Sequence, residues 1–430
     1  MSPPGSFDDL DDWLAWLETL SPHEIELGLE RIREVLARLN LANASRVIIV
    51  AGTNGKGSSV VMLEALLARS GESVASYTSP HIHVFNERIR INGKPVTDQE
   101  IVTAFERIEA VRHDVALTYF EFGTLAALVI FDKARPDNIV LEVGLGGRLD
   151  AVNAIEPDAC LITNVTLDHC DWLGDDVESI AVEKAGVMRA HTPVVFGSTT
   201  MPEAITTAAK QTGAELIVAG RDFTFTETGE DGWRWSGRDL ILDGLTRPSL
   251  EDQHQLGNAA AVLALIESLG LMKILQVQTI NEAMAVLELP GRLQRIGVAD
   301  KSFVVDVAHN ADSAKVLSTF IGTMRDIDQV IAVIGVLAGK DLDAIIRELE
   351  PVVHHWIACT ADAANAVPAD DLARQVEQGT GKPCLIAGSV EEALAMAREK
   401  AKEVDLILVT GSFHTVGPAL RWLDDFQCAR

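Results

Sequence analysis

The sequence predicts an α/β protein of two domains, each built on a mostly parallel sheet. Short apolar runs alternate with longer helical patterns along most of the 430 residues, as in parallel sheets that carry helices on both faces. A chain of this length also exceeds what one hydrophobic core usually serves. The Pro290–Gly291 pair interrupts the alternation, which then restarts, so we expect the domain boundary there.

The first domain is assigned to residues 1–290, with amphipathic helices over 8–40. Segment 222–245 differs from the rest, because its aromatic and polar residues alternate, which predicts antiparallel hairpins. Apolar runs predict strands at 47–51, 74–77, 138–143, 159–164 and 193–196. Helical spacing is found over 98–112, 120–133 and 256–270.

The second domain is assigned to 296–430 and is expected to be a smaller, Rossmann-like α/β domain. Its strands are predicted at 303–307, 330–335, 355–359, 384–387 and 405–410. Its helices are predicted at 311–325, 341–350, 369–378, 389–402 and 415–426.

Composition limits the classes of partner. The formal charge of −27 argues against nucleic acid, which needs a basic surface. Five cysteines, an odd number without a CxxC pair, indicate a reduced, cytoplasmic chain with no zinc site. The first residues lack the apolar core of a signal peptide, and the apolar run 122–131 is too short for a membrane helix. We expect a monomer that acts on small molecules and binds neither nucleic acid nor membranes.

The stretch RVIIVAGTNGKGSS, from Arg46 to Ser59, predicts a strand, a glycine loop and a helix N-terminus. Backbone N–H groups and the positive end of the helix dipole suit phosphate there. Lys56 would add a charge for the outer phosphates, and Ser58 or Ser59 would face magnesium. The spacing departs from the strict G-x-x-x-x-G-K-[ST] pattern. The lysine and hydroxyls nevertheless favour a nucleotide site, hence a P-loop ATPase-like domain, over a plain connecting turn.

Polar residues at other strand ends are further candidates, because ligands of α/β sheets bind beyond the carboxyl ends of strands. Glu142 ends an apolar strand, and its carboxylate would bind either magnesium or backbone amides. His169 follows another strand, but imidazole is not a habitual magnesium ligand. Ser79, His81 and Arg88 lie in a loop after a third strand, where a hydroxyl would reach a metal or phosphate.

Lys184 lies among apolar neighbours in a predicted helix. It is either a surface lysine whose charged end reaches water, or an amine that reacts with carbon dioxide. The resulting carbamate would act as an extra carboxylate. The pattern alone does not choose between them.

Eight motifs occur in order: VAGTNGKGSS, YTSPHI, LTYFEFGTLAAL, EVGLGGRLDA, LDHCDWLG, EKAG, LPGRLQ and DVAHN. Together they resemble the bacterial dihydrofolate synthase/folylpolyglutamate synthase family of the Mur-ligase superfamily. The resemblance extends from about Ile25 to Phe413. Val152 stands where the family often has Thr, and Ala311 where Pro often follows DVAHN.

The resemblance implies roles for particular residues. It implies that the ATP site is formed by Thr53, Asn54, Gly55, Lys56, Gly57, Ser58, Asn258, Arg292 and Asp306. It implies that magnesium is held by Ser79, Glu142 and His169, supported by a carbamylated Lys184. Lys56, Lys184 and His169 would act in catalysis. It implies that substrate is bound by Glu26, Leu27, Gly28, Leu29, Thr118, Tyr119, Phe120, Glu121, Leu149, Asp150 and Ala151, with His309 nearby.

The implied reaction is an ATP-dependent amide ligation. ATP would phosphorylate a substrate carboxylate, and the amine of L-glutamate would attack the acyl phosphate. The motif set resembles bifunctional members, which make dihydrofolate from dihydropteroate and extend the γ-glutamyl tail of reduced folates. A single-activity enzyme, a Mur-type cell-wall ligase acting on UDP-linked substrates, and a GTPase-like switch are the alternatives.

Overall fold

The computed structural model describes residues 9–20, 26–42, 44–229, 232–250, 254–298 and 300–428. The predicted region 8–40 and the predicted hairpin 222–245 therefore lie partly outside the described residues. The chain divides into two compact units. Glu288 begins the main part of the second unit, and Asp168–Trp172, which the sequence assigned to the first domain, group with the second unit.

The first unit is built on a mostly parallel sheet. Within the described residues it has eight strands, in the order β4-β3-β2-β5-β1-β6-β7-β8. The bounds are β1 Arg46–Ala51, β2 Val74–Tyr77, β3 Ile89–Ile91, β4 Lys94–Pro95, β5 Asn138–Glu142, β6 Ala159–Ile162, β7 Pro193–Phe196 and β8 Glu215–Val218. All five predicted strands are confirmed. The short antiparallel edge strands β3 and β4 and the outer strand β8 were not predicted.

Helices cover this sheet, and side-chain caps begin some of them. The bounds are α1 Leu10–Leu20, α2 Glu30–Leu39, α3 Lys56–Arg69, α4 Asp98–Arg112, α5 Tyr119–Ala134, α6 Cys170–Leu173, α7 Val177–Ala185, α8 Glu203–Thr212, α9 Gln255–Ser268 and α10 Val277–Met284. Thr97 with Glu100, and Thr118 with Glu121, form capping boxes that begin α4 and α5. By contrast, α3 begins after Gly55 with no side-chain cap.

The predicted antiparallel segment is confirmed as a three-stranded sheet within the described residues. It comprises β9 Thr224–Thr228, β10 Gly232–Ser236 and β11 Ile241–Thr246. Trp233 and Trp235 are fully buried on one face. The indole nitrogen of Trp235 donates to the carbonyl oxygen of Ala260 in α9 at 3.0 Å, which attaches this sheet to the larger part of the unit.

The second unit has a six-stranded sheet within the described residues, in the order β12-β13-β17-β14-β15-β16. Its strands are β12 Gln294–Val298, β13 Lys301–Asp306, β14 Val330–Ile334, β15 His355–Cys359, β16 Cys384–Ala387 and β17 Leu406–Thr410. Its helices are α11 Ala311–Thr323, α12 Leu342–Leu349, α13 Ala369–Thr380, α14 Val390–Lys400 and α15 Phe413–Cys428. The predicted elements are confirmed, and the antiparallel edge strand β12 is an addition.

No helix in the described part of the chain is long and apolar enough to cross a membrane.

Candidate active site

The glycine loop leaves the carboxyl end of β1 and enters α3. Gly52 has a φ of +141°, and a side-chain carbon there would lie 1.8 Å from the hydroxyl oxygen of Thr163. Gly55, at the start of α3, has a φ of +83°. Both conformations favour glycine. The uncapped first turn of α3 therefore has backbone N–H groups available to a ligand.

The segment after β6 fixes the loop. Asn164 accepts hydrogen bonds from the backbone nitrogens of Thr53, at its carbonyl oxygen (3.1 Å), and Asn54, at its side-chain oxygen (2.9 Å). The Thr163 hydroxyl donates to the carbonyl oxygen of Asn54 at 2.6 Å. No motif singled out Asn164, although its position just past a predicted strand end was a usable signal.

Two lysines bind the backbone of this loop. Lys56 Nζ donates to the carbonyl oxygens of Gly52 and Thr53, each at 3.1 Å. Lys184 Nζ donates to the same Gly52 oxygen at 3.0 Å. Lys184 is only 4% exposed, so the interpretation as a surface lysine is wrong. Its helix, α7, is held in place because Arg148 N donates to Glu183 O at 2.7 Å.

Helix α9 supplies a neighbour to the loop. A side-chain carbon at Gly55 would lie 2.7 Å from Asn258 Oδ1, so this amide borders the loop directly. Gln255 Nε2 donates to Ser58 Oγ at 3.3 Å. Ser59 Oγ donates back to Gly55 O at 2.8 Å. Of the two candidate hydroxyls, that of Ser59 is thus turned into the backbone of its own helix, which leaves Ser58 as the better candidate.

Glu142 ends β5 and is 5% exposed. Its Oε2 accepts a hydrogen bond from Ser79 N at 3.1 Å, so Glu142 has a backbone amide partner, as the alternative interpretation expected. Both carboxylate oxygens lie 3.9 Å from where a side-chain carbon of Gly57 would be. A buried carboxylate and a serine beside a phosphate-type loop are hard oxygen donors, which fits magnesium.

The third predicted metal ligand has different surroundings. His169 groups with the second unit, and its Nε2 lies 3.4 Å from Lys340 Nζ. Among the described residues, no group of three or more His, Cys, Asp or Glu side chains is arranged to hold a metal ion. The role of His169 as a metal ligand stays a prediction.

Asp168 is the centre of a polar cluster in the second unit. Its carboxylate accepts hydrogen bonds from Lys340 Nζ at 2.7 Å and Asn310 Nδ2 at 3.1 Å, and lies 3.4 Å from His309 Nε2. Burial alone would raise the pKa of Asp168, but His309 and the Lys340 charge outweigh it and hold that pKa well below its ordinary value. No motif singled out Lys340.

The three predicted substrate segments come together in the first unit. Gly28 N donates to Leu149 O at 3.3 Å, which joins segments 26–29 and 149–151. The Arg31 guanidinium bonds Glu26 Oε1 at 2.5 Å and both Glu121 carboxylate oxygens at 3.2 Å, which joins segment 118–121 to the first. Arg31 was not predicted as a site residue.

Phe120 and Asp150 are the aromatic and the acidic residue of these substrate segments. The Phe120 ring centroid lies 5.9 Å from that of Tyr77. Burial raises the pKa of Asp150 to about 6, although hydrogen bonds from Leu145 N and Val152 N act to lower it. The region therefore combines aromatic rings with a buried carboxyl group. Leu27, Leu29, Tyr119 and Ala151 are buried or half-buried in the same unit.

The predicted ATP residues of the second unit lie around the end of β13. Asp306 is buried and accepts hydrogen bonds from Leu293 N and Ala308 N, both at 2.8 Å. The Arg292 guanidinium lies 5.4 Å from the centre of the Phe413 ring. Their roles toward ATP stay predictions.

Comparison with known proteins gives matches to two family models. Residues 50–225 match the Mur ligase middle domain, and residues 291–413 match the Mur ligase glutamate ligase domain. The chain is also 38% identical to the dihydrofolate synthase/folylpolyglutamate synthase of Escherichia coli K12 over 98% of this chain and 97% of that protein.

Solved structures agree with these matches. The fold is similar to that of E. coli FolC in complex with DHPP and ADP, with a TM-score of 0.91, 36% identity, and coverage of 99% of this chain and 100% of that one. It is similar to a bifunctional folylpolyglutamate synthase/dihydrofolate synthase with manganese, AMPPNP and L-glutamate bound, with a TM-score of 0.88, 37% identity, and coverage of 98% and 100%. This chain therefore belongs to the dihydrofolate synthase/folylpolyglutamate synthase family of Mur ligases.

Proposed function

We propose that this protein is an ATP-dependent ligase that adds L-glutamate to dihydropteroate and extends the γ-glutamyl tail of reduced folates. One observation carries the proposal. The glycine loop, with Lys56 and Lys184 on its Gly52 carbonyl and Glu142 beside it, is part of the same unit as the joined substrate segments. The groups proposed to bind phosphate and substrate thus belong to one compact unit.

The loop residues Thr53 to Ser58 are proposed to bind the ATP phosphates, through the N–H groups at the start of α3 and the Lys56 charge. Asn258, Arg292 and Asp306 are proposed to bind the rest of the nucleotide. Ser79, Glu142 and His169 would hold Mg²⁺, which when bound offsets the negative charge of the phosphates. For Ser79 and Glu142, this proposal is supported by their hard oxygen atoms beside the loop.

Segments 26–29, 118–121 and 149–151 are proposed to bind the pterin. Phe120 offers an aromatic face for a flat ring. Asp150 offers a carboxyl group whose raised pKa lets it exchange between donor and acceptor near neutral pH. His309 is proposed to lie on the substrate side of the second unit.

The reaction is proposed to have two steps. A substrate carboxylate oxygen attacks the γ-phosphorus of ATP, which releases ADP and leaves an acyl phosphate. The neutral amine of glutamate then attacks the acyl carbon and displaces inorganic phosphate, so the attacking carboxylate oxygen leaves with the phosphate. Lys56 would offset the charge of the transferring phosphoryl group.

Lys184 is proposed to be carbamylated. A buried ammonium group that shares an acceptor with a second ammonium is costly. Carbamylation would replace that charge with an anion that pairs with Lys56. We further expect a monomer that acts in the cytoplasm, as the reduced cysteines suggest; Cys160, Cys170, Cys359 and Cys384 are free thiols in the described part of the chain.

The function is tested by incubating the purified protein with ATP, Mg²⁺ and L-glutamate, together with either dihydropteroate or tetrahydrofolate. Mass spectrometry should detect one added glutamyl amide on each substrate. A glutamyl product from only one of them would identify a single-activity enzyme. No product from either, together with turnover of UDP-muramyl substrates, would overturn the proposal in favour of a cell-wall ligase.

A further inference from the structure

Arg88 is a buried cation for which the described part of the chain offers no anionic partner. The residue is 9% exposed, at the end of the 3-10 helix Phe85–Arg88. Across the described ranges, no carboxylate forms an ion pair with it. The neighbouring Glu87 carboxylate is occupied by the backbone nitrogens of Ile82, His83 and Val84, at 2.8 to 2.9 Å.

The groups around Arg88 orient its guanidinium without neutralising it. Arg88 Nε donates to His81 Nδ1 at 2.8 Å. The guanidinium carbon lies 5.3 Å from the centre of the Phe85 ring and 5.5 Å from that of Tyr119. Cation–π contacts of this kind recover only part of the cost of removing a charge from water. The ring contacts and the Nε bond hold the planar fork in one orientation.

A second polar group nearby is the hydroxyl of Tyr77. The hydroxyl of Tyr77 is fully buried and forms no hydrogen bond within the described residues. Burial raises the pKa of Tyr77, although the Arg88 charge and the nearby Thr124 and Arg88 donor groups act to lower it, so Tyr77 and Arg88 interact electrostatically. A buried hydroxyl is nearly always hydrogen-bonded in a folded protein. A buried hydroxyl without a hydrogen bond, beside a buried guanidinium without a carboxylate, suggests one shared acceptor.

We propose that Arg88 binds a carboxylate of the substrate, with the Tyr77 hydroxyl as a second donor. A planar guanidinium suits bidentate binding of a carboxylate. This inference rests on the proposed function, because Tyr119, which contacts Arg88, belongs to the segment proposed to bind the pterin. Two groups of the substrates could supply this carboxylate: the benzoate carboxylate of dihydropteroate, or the α-carboxylate of the glutamyl tail in a folate.

The test compares binding of pteroate with that of its uncharged carboxamide, measured by titration without ATP. If Arg88 binds the benzoate carboxylate, wild-type protein should prefer pteroate to the carboxamide by roughly 10- to 100-fold, as expected for a charge-assisted hydrogen bond. Arg88→Met keeps an unbranched apolar side chain but removes the charge, and should abolish this preference. Arg88→Lys should keep part of it. Arg90→Lys, which retains the charge that pairs with Glu64, is the matched control and should behave as wild type.

A merely structural arginine gives a different pattern. In that case Arg88→Met would lower the melting temperature but keep the preference for the carboxylate with both ligands, pteroate and folate, and this result overturns the inference. If Arg88→Met does not fold, Arg88→Lys decides, because an unchanged preference in that variant, with no loss of affinity for pteroate, also overturns it.

Repeating the titration with folate and its α-carboxamide identifies the source. Loss of preference for pteroate in Arg88→Met assigns the benzoate carboxylate, and loss only for folate assigns the α-carboxylate. If the proposed function is wrong, the result differs, because wild-type protein would then bind neither pteroate nor folate and would form no glutamyl amide. Glutamyl ligation by wild type, with Arg88→Met retaining both preferences, refutes the role of Arg88 alone.

Discussion

Lys56 and Lys184 donate to the same atom, the carbonyl oxygen of Gly52, at 3.1 and 3.0 Å. One lysine follows the glycine loop and the other comes from α7, yet both ammonium groups lie where β1 ends. Two like charges in a largely buried place repel each other. A bound phosphate would offset this repulsion, as would chemical conversion of one amine.

The first prediction concerns Lys184. We expect Lys184→Ala to lower turnover by roughly 100-fold or more, because an electrostatic group at the phosphate loop is lost. Acetate or propionate should restore part of the activity, since either acid can replace a carbamate. Protein incubated with ¹³C-bicarbonate should show a carbamate signal by NMR that is missing in the variant.

Lys210→Ala, an exposed change in α8, is the control and should leave turnover and the carbamate signal unchanged. Absence of the carbamate signal in active wild-type protein would refute the modification while leaving the fold and the ligase reaction intact.

The second prediction concerns Lys56. Its ammonium group is expected to offset charge on the transferring phosphoryl group, so Lys56→Ala should reduce kcat by roughly 100-fold or more. The melting temperature should change little, because water can also satisfy the carbonyl oxygens of Gly52 and Thr53 that Lys56 bonds. Lys133→Ala, in the last turn of α5, is the matched exposed control. A well-folded Lys56→Ala protein with normal kcat would contradict the phosphate role.

The third prediction separates two glycines of the same loop. Gly52→Ala should destabilise the protein by about 3 kcal/mol or more, because the new methyl would overlap the Thr163 hydroxyl at a strained φ. Gly57→Ala should leave stability within about 0.5 kcal/mol, since the nearest atoms are the Glu142 oxygens at 3.9 Å. That methyl would nevertheless occupy the space between the loop and Glu142, so turnover should fall.

Denaturant unfolding and steady-state rates measure the two effects. Normal turnover by Gly57→Ala would show that the space beside Glu142 is not used in the reaction.

The fourth prediction concerns pH. The pKa of Asp150 is raised to about 6 from its ordinary value of 3.8. Between these pH values the native state keeps a proton that the unfolded state has lost. The free energy of unfolding contributed by Asp150 therefore falls as pH rises through this window, by about 3 kcal/mol in total.

Asp150→Asn should remove this dependence. The measured quantity is the difference in unfolding free energy between wild type and variant, followed from pH 4 to pH 7. It should shift steadily in favour of the variant as pH rises. A part of the difference that does not depend on pH reflects the replacement of one carboxylate oxygen, which accepts a hydrogen bond from Leu145 N or Val152 N. A difference that stays flat across the window would show that Asp150 titrates normally.

Local sequence patterns predicted most of the fold. Buried parallel strands such as β1 and β5 are apolar runs bounded by turn residues, so their positions are visible in the sequence. Strands β3 and β4 have three and two residues and are paired antiparallel at an edge, which leaves no periodic signal. Strand β12 is partly exposed and contains Gly297, which weakens its pattern in the same way.

Site residues were predicted where they belong to a motif. Lys56, Glu142 and Asn258 stand at strand or helix ends beside the loop. Arg31 was missed because its partner Glu121 lies far along the chain, and single-residue patterns do not show such pairings. Arg88 was a candidate from its position in a loop after a strand, but its contacts with the Phe85 and Tyr119 rings were not predicted. The burial of Lys184 could not be predicted either. A short helix with one lysine has the same sequence pattern whether that side chain faces water or the core.

The central claim is that a substrate carboxylate is phosphorylated before the amide forms. The most direct measurement uses dihydropteroate labelled with ¹⁸O in both carboxylate oxygens, with ATP, Mg²⁺ and L-glutamate in unlabelled water. The acyl phosphate route transfers one ¹⁸O to inorganic phosphate for each dihydrofolate formed. Unlabelled phosphate, or ¹⁸O found in AMP, would contradict the claim.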